Sequence, residues 1–136
     1  MSGAAALRTV VHGLEFRNPI VLAAGTAGFG EELAGVMRLD AVGGIVTKAV
    51  SLEPRAGNPS RRVAEFDGGM LNAVGLANPG LAAVRAGQVP WLATHLAGTR
   101  KIVNVVGFAV EEYAAVVAGL EEALSAASTR HAIDGF

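Results

Sequence analysis

Residues 44–50 read Gly44-Ile45-Val46-Thr47-Lys48-Ala49-Val50, a short apolar run with a single charge near its end. A run this short, without polar alternation, marks a strand buried on both faces of a parallel sheet. Working outward, Ile20 to Ala24 is a second such run, closed by Gly25, and Lys101 to Val106 is a third, closed by Gly107. Helical patterns lie between them. Glu31 to Leu39 puts Leu33, Val36 and Met37 on one face. Pro79 to Gln88 and Pro90 to Leu96 read as two short helical pieces, each opened by a proline in its first turn. In Val110 to Ala127 the residues Tyr113, Val116, Val117, Leu120 and Leu124 form one apolar stripe, and Glu111 and Glu112 sit where the helix dipole favours acids.

At the ends, Leu7 to Phe16 reads as a short hairpin turning near His12-Gly13, and Ala132 to Phe136 begins another apolar strand. Ser51 to Gly69, with Pro54 and Pro59, reads as one long irregular loop, the kind that is usually functional or disordered. Strands alternating with helices predict an α/β fold with a parallel sheet. A (β/α)8 barrel takes about 250 residues. The pattern therefore predicts either a small open-sheet protein or the N-terminal half of a (β/α)8 TIM barrel, with a short hairpin in front.

The chain has 136 residues, enough for one domain or part of one. Its 51% hydrophobic and 17% charged content, with a mean hydropathy of +0.43, excludes a disordered chain. A net charge of −1 gives no electrostatic footprint for nucleic acid or anionic lipid. The absence of cysteine removes disulfides, Cys-based zinc sites and a thiol nucleophile from these residues. Met1 to Arg8 is too weak for a signal peptide, and the uncharged stretch between Asp67 and Arg85 holds Asn72, Asn78, Pro79 and glycines, so it is no membrane helix. A cytoplasmic protein is the expectation. His12, His95 and His131 are scattered without metal-ligand spacing and read as structural, so no metal site is expected.

Four segments carry polar chemistry. Ala23-Ala24-Gly25-Thr26-Ala27-Gly28-Phe29-Gly30 fails the G-x-G-x-x-G pattern, because Leu33 stands at the third glycine position. It reads either as a close-approach surface for a flat ligand or as a tight strand-to-helix turn. Lys48, at a strand's C-terminal end, either aims its ammonium at an anion or snorkels to solvent. Gly69-Met70-Leu71-Asn72-Ala73-Val74-Gly75-Leu76-Ala77-Asn78-Pro79-Gly80 is the densest: its asparagines can read an amide or heterocycle edge, or merely build a turn-rich loop. Asn104, in the third strand, must be hydrogen-bonded if buried. Arg55, Arg61 and Arg62 read as a solvated loop rather than a phosphate site.

Together these segments resemble the dihydroorotate dehydrogenase family. The motifs are Asn18-Pro19-Ile20 with Ala23 to Thr26, Thr47-Lys48-Ala49, Pro54-Arg55-Ala56-Gly57-Asn58-Pro59, the Gly69 to Gly80 segment, and Val103-Asn104-Val105 with Gly107. Their order and spacing match from about Leu7 to Phe136, and the style is closest to the class 1 catalytic subunit of the NAD-linked branch. The resemblance implies the N-terminal half of a (β/α)8 barrel, spanning 1–136 as one partial domain, with FMN as cofactor and dihydroorotate oxidised to orotate in pyrimidine biosynthesis. It implies that Ala24, Gly25, Lys48, Ala49 and Asn104 contact the flavin, and that Lys48, Asn72, Ala73, Val74, Gly75 and Leu76 bind the substrate. It also implies a homo-oligomer and an iron–sulfur FAD electron-transfer subunit as partner. The family's catalytic base, in a Ser-Cys-Pro-Asn run, is expected beyond Phe136, so no catalytic residue falls in this chain. Two departures stand out: Arg61 where the family usually has proline, and Ala24 where serine is common. A half-barrel that binds a nucleotide-like ligand without catalysis, or an inactive remnant, are the alternative readings.

Overall fold

The computed structural model describes residues 7–136. The signal-peptide reading rests mostly on Met1 to Ala6, which lie outside the described residues. The chain opens with an antiparallel hairpin, β1 (Thr9–Val11) and β2 (Leu14–Phe16), in which Val11 faces Leu14. A two-residue turn at His12-Gly13 closes it, as the sequence predicts. Phe16 is buried, and its ring lies where a side chain on Gly44 would be, so the hairpin docks on the sheet through a position that only glycine leaves open.

The sheet has three parallel strands in the order β3 (Val21–Leu22), β4 (Gly44–Val46) and β7 (Arg100–Ile102). A Val50–Val105 bridge prolongs the central pair. Beyond β7, Ile102 pairs with Gly135 in parallel, the Val103 amide donates to the Gly135 carbonyl at 2.9 Å and the Asp134 amide to the Lys101 carbonyl at 2.7 Å. The 132–136 run therefore starts a fourth parallel line, as read from its apolar residues. Helices cover the connections: α1 (Ala24–Ala27) and α2 (Glu31–Ala34) join β3 to β4, α3 (Gly80–Ala83) and α4 (Val89–His95) precede β7, and α5 (Val110–Ala123) follows it. The core between sheet and helices holds Ile45, Val50, Val84, Val89, Leu92, Val103, Val116 and Leu120, all nearly inaccessible. Among the described residues no helix is long and apolar enough to cross a membrane.

Several sequence expectations need correction. The first strand is not buried on both faces: Ile20 is 57% exposed and Val21 is exposed too, because β3 has a neighbour on one side only. The chain turns helical from Ala24, with the Ala27 amide bonded to the Ala23 carbonyl. The helix expected over Glu31 to Leu39 closes after one turn at Gly35, leaving Val36 78% exposed, and of its expected stripe of Leu33, Val36 and Met37 only Leu33 packs on the core.

The Ser51 to Gly69 stretch is not one irregular loop. Val63–Phe66 (β5) pairs antiparallel with Gly69–Asn72 (β6) around a two-residue Asp67-Gly68 turn. Nor are there two proline-opened helices after Pro79. The run from Gly80 to His95 is continuous, with a π-helical turn at Val84–Gln88. Pro90 has no N–H and its ring crowds the carbonyl four residues back, and the wider π turn just before it relieves both. Finally, α5 ends at Ala123, and Tyr113 stays half-exposed, so the buried stripe narrows to Val116 and Leu120.

Candidate functional site

A cavity of about 640 Å³ opens at the C-terminal ends of β3, β4 and β7. This is where parallel α/β sheets place ligands, since the loops leaving each strand converge there. Its lining is Ala24, Gly25, Gly28, Lys48, Ala49, Asn72 to Ala77 and Asn104. All ten residues expected to bind flavin or substrate therefore meet in one place, although they come from four segments of the chain. Gly28 and Ala77, from the same Ala23 to Gly30 and Gly69 to Gly80 segments, complete the lining beyond the residues the resemblance implies.

The floor is made by the strand ends. Ala24, Gly25 and Ala49 present no side chain beyond a methyl group, and a Cβ on Gly25 would meet nothing within 4 Å. Lys48, two residues beyond β4, sits between buried Thr47 and buried Ala49 but is itself exposed, on the cavity lining. Its backbone is held on both flanks: the Lys48 amide donates to the Gly28 carbonyl at 2.7 Å and the Thr47 amide to the Ile102 carbonyl at 2.9 Å. Asn104, half-buried, accepts from the Val50 amide through its carbonyl at 2.8 Å, which leaves its side chain at the lining.

The wall is the segment from Asn72 to Ala77. It leaves β6 and is pinned from outside by the Arg55 to Asn58 turn. The Asn58 amide donates to the Val74 carbonyl at 3.0 Å, and its side-chain Nδ2 to the Ala73 carbonyl at 2.8 Å. Arg55 Nε donates to the Gly75 carbonyl at 3.3 Å while its guanidinium lies 4.3 Å above the Phe108 ring. Two glycines make this contact possible. A Cβ on Gly57 would stand 2.5 Å from the Val74 oxygen, and one on Gly75, at φ +78°, 2.7 Å from the Asn58 nitrogen. Leu76, at φ +55°, is a non-glycine residue in the left-handed region, a strained conformation that needs external support.

The polar residues divide by role. Arg55, read as part of a solvated loop, is a structural tie. Arg61 and Arg62 are exposed and stay outside the lining. Of the two readings open for the asparagines of this segment, Asn78 takes the loop-building one: it is buried and fully hydrogen-bonded within the protein. Among the histidines, His95 stacks on Trp91 with ring centroids 4.7 Å apart. Lys101 is a buried charge, 2% exposed, whose Nζ donates to the Leu96 carbonyl at 3.2 Å and lies 3.4 Å from Asp134. It opened an expected strand, and nothing in its neighbours signalled burial. The Asp40 carboxyl is held below the usual carboxylate range by the Arg38 hydrogen bond. It is on the turn before β4, at the far end of that strand from Lys48.

Comparison with known proteins places this arrangement. The family model described as dihydroorotate dehydrogenase matches residues 6–128. The chain is 50% identical over 117 residues to the dihydroorotate dehydrogenase B (NAD(+)) catalytic subunit of Streptococcus pneumoniae serotype 4, covering 86% of this chain and 38% of that protein. It is 43% identical over 134 residues to the protein of the same name from Geobacter metallireducens, covering 92% and 43%. It is 46% identical over 104 residues to dihydroorotate dehydrogenase A (fumarate) of Lactiplantibacillus plantarum, covering 76% and 34%. Among solved structures, that of Eimeria tenella DHODH in complex with ferulenol superposes with a TM-score of 0.55 at 20% identity, over 73% of this chain and 28% of that one, a likeness of fold. The chain thus spans about two fifths of the length of the curated relatives it matches. With the family motifs gathered around one cavity and the family model matching nearly the whole chain, this protein belongs to the dihydroorotate dehydrogenase family.

Proposed function

We propose that this chain forms the N-terminal half of a (β/α)8 barrel in an FMN-dependent enzyme that oxidises dihydroorotate to orotate in pyrimidine biosynthesis. The observation that carries the reading is the cavity itself: a floor stripped of side chains, one ammonium and two carboxamides, all at the C-terminal ends of parallel strands. The fit to a flavin rests on the open space over Gly25 and on the donors around it. When bound, FMN supplies the hydride acceptor.

Ala24, Gly25 and Ala49 admit the flat ring, and the Asn104 amide hydrogen-bonds its edge. The Lys48 ammonium pairs with the substrate carboxylate and stabilises the negative charge that grows as the neighbouring carbon loses its proton. Asn72, with a donor and an acceptor on one amide, reads the pyrimidine edge. The Ala73 to Leu76 backbone closes the ring's other side. No described lining residue is a carboxylate, thiol or hydroxyl, so the base belongs to a segment outside these residues. The relatives' names, catalytic subunits of an NAD(+) enzyme, support an electron-transfer subunit as partner.

The test is to put this chain in place of the matching segment of the Streptococcus pneumoniae catalytic subunit and to assay the chimera for flavin and orotate formation. The reading expects an active, flavin-containing chimera, and a loss of about 10²–10³-fold in kcat for its Lys48→Ala variant. A folded chimera that holds flavin but does not turn over dihydroorotate, or a Lys48→Ala variant as active as the parent, contradicts it.

A further inference from the structure

We propose that Asn78 is a positioning residue that fixes the substrate-facing wall of the cavity to its floor, an inference that rests on the functional reading above. Its side chain spans the two. Nδ2 donates to the Leu76 carbonyl at 2.8 Å and to Ser51 Oγ at 2.9 Å. Oδ1 accepts from the Ser51 amide at 3.2 Å and from the Gly80 amide at 2.9 Å. The Ser51 hydroxyl, having accepted from Asn78, donates onward to the Glu53 carbonyl at 2.6 Å. Every donor and acceptor of the amide is thus used, inside a site where an unpaired group would be costly.

The two ends of this link matter for different reasons. Ser51 directly follows Val50, whose amide is bonded to the Asn104 carbonyl, so it is continuous with the strand ends that carry Lys48, Ala49 and Asn104. Leu76 is the lining residue in the left-handed conformation. A strained residue persists only where its surroundings over-determine it. On its carbonyl side that restraint is Asn78. The backbone of Asn78 is itself locked, exchanging 2.9 Å hydrogen bonds with Arg55 in both directions. Asn78 therefore touches no ligand-facing surface, yet sets where the Asn72 to Leu76 backbone stands relative to Lys48.

Removing this link lets the wall sample other conformations, so binding must then pay for its ordering, while groups that act on the transition state keep their chemistry. The expected signature is a split between binding and turnover. In the active chimera, Asn78→Ala raises KM for dihydroorotate about tenfold and lowers kcat less than about threefold. Ser51→Ala, which keeps the Ser51 amide bond to Asn78, gives a smaller shift in the same direction and covers the case in which Asn78→Ala does not fold. A second readout needs no activity. In the 136-residue chain, Asn78→Ala speeds amide exchange at Ala73, Asn78 and Leu81, which keep their backbone acceptors, about tenfold, and leaves the Thr47 amide unchanged. An inactive parent chimera overturns the functional reading alone, because the exchange experiment still tests the link. Unchanged exchange at Ala73, Asn78 and Leu81, or folded variants with KM within twofold of an active parent, overturns the positioning role.

Discussion

The parallel strands and the β5–β6 hairpin meet at one cavity but are stabilised in opposite ways. β4 has neighbours on both sides, and Ile45 within it and Val50 just beyond it are completely buried. All eight residues of β5 and β6 are exposed, including Val63, Phe66, Met70 and Leu71. The floor of the site is therefore held by apolar burial, which is non-directional and distributed. The wall is held by a few directional polar contacts from Arg55, Asn58 and Asn78 and by glycines that let backbones approach. Such a division gives a rigid base for a flat group and a wall whose shape depends on single residues.

Substitutions can break or sharpen this contrast. Ile45→Ala on the floor should cost about 2–5 kcal/mol, read as a fall in the urea midpoint at unchanged slope. A loss below about 1 kcal/mol would mean that the sheet is not the seat of stability. Gly75→Ala on the wall forces a Cβ towards the Asn58 nitrogen at a positive φ and should cost about 1–3 kcal/mol. Its effect on orotate affinity in the chimera should exceed that of Ile45→Ala, because the strain falls on the lining itself. Leu71→Ser, on the 67% exposed hairpin strand, should change stability by less than about 0.5 kcal/mol. A large loss there would show that the hairpin face is packed in solution.

The same division explains what could be read in the residues. Buried strands announce themselves: the runs Gly44 to Val50 and Lys101 to Val106 mark the central strands, although the regular ladders cover only Gly44–Val46 and Arg100–Ile102 with one further bridge at Val50–Val105. The Gly69 to Gly80 motif named the wall. Its architecture was harder. Pro54 and Pro59 made the whole of Ser51 to Gly69 read as loop, yet Asp67-Gly68 between Val63-Ala64-Glu65-Phe66 and Gly69-Met70-Leu71-Asn72 is a hairpin turn signal. By residue type and local setting alone Asn72 and Asn78 are alike, and only the family resemblance assigns Asn72 to the substrate. Tertiary contact supplies the physical reason: Asn72 faces the cavity, while Asn78 is consumed by Ser51, Leu76 and Gly80. The buried Lys101 was hidden for the same reason, since its burial depends on a partner as distant as Asp134.

The most direct test of the account is a crystal structure of the active chimera grown with orotate. The account predicts the orotate carboxylate within hydrogen-bonding distance of Lys48 Nζ and the pyrimidine edge on the Asn72 amide. Orotate bound elsewhere, with Lys48 and Asn72 facing solvent, would contradict it.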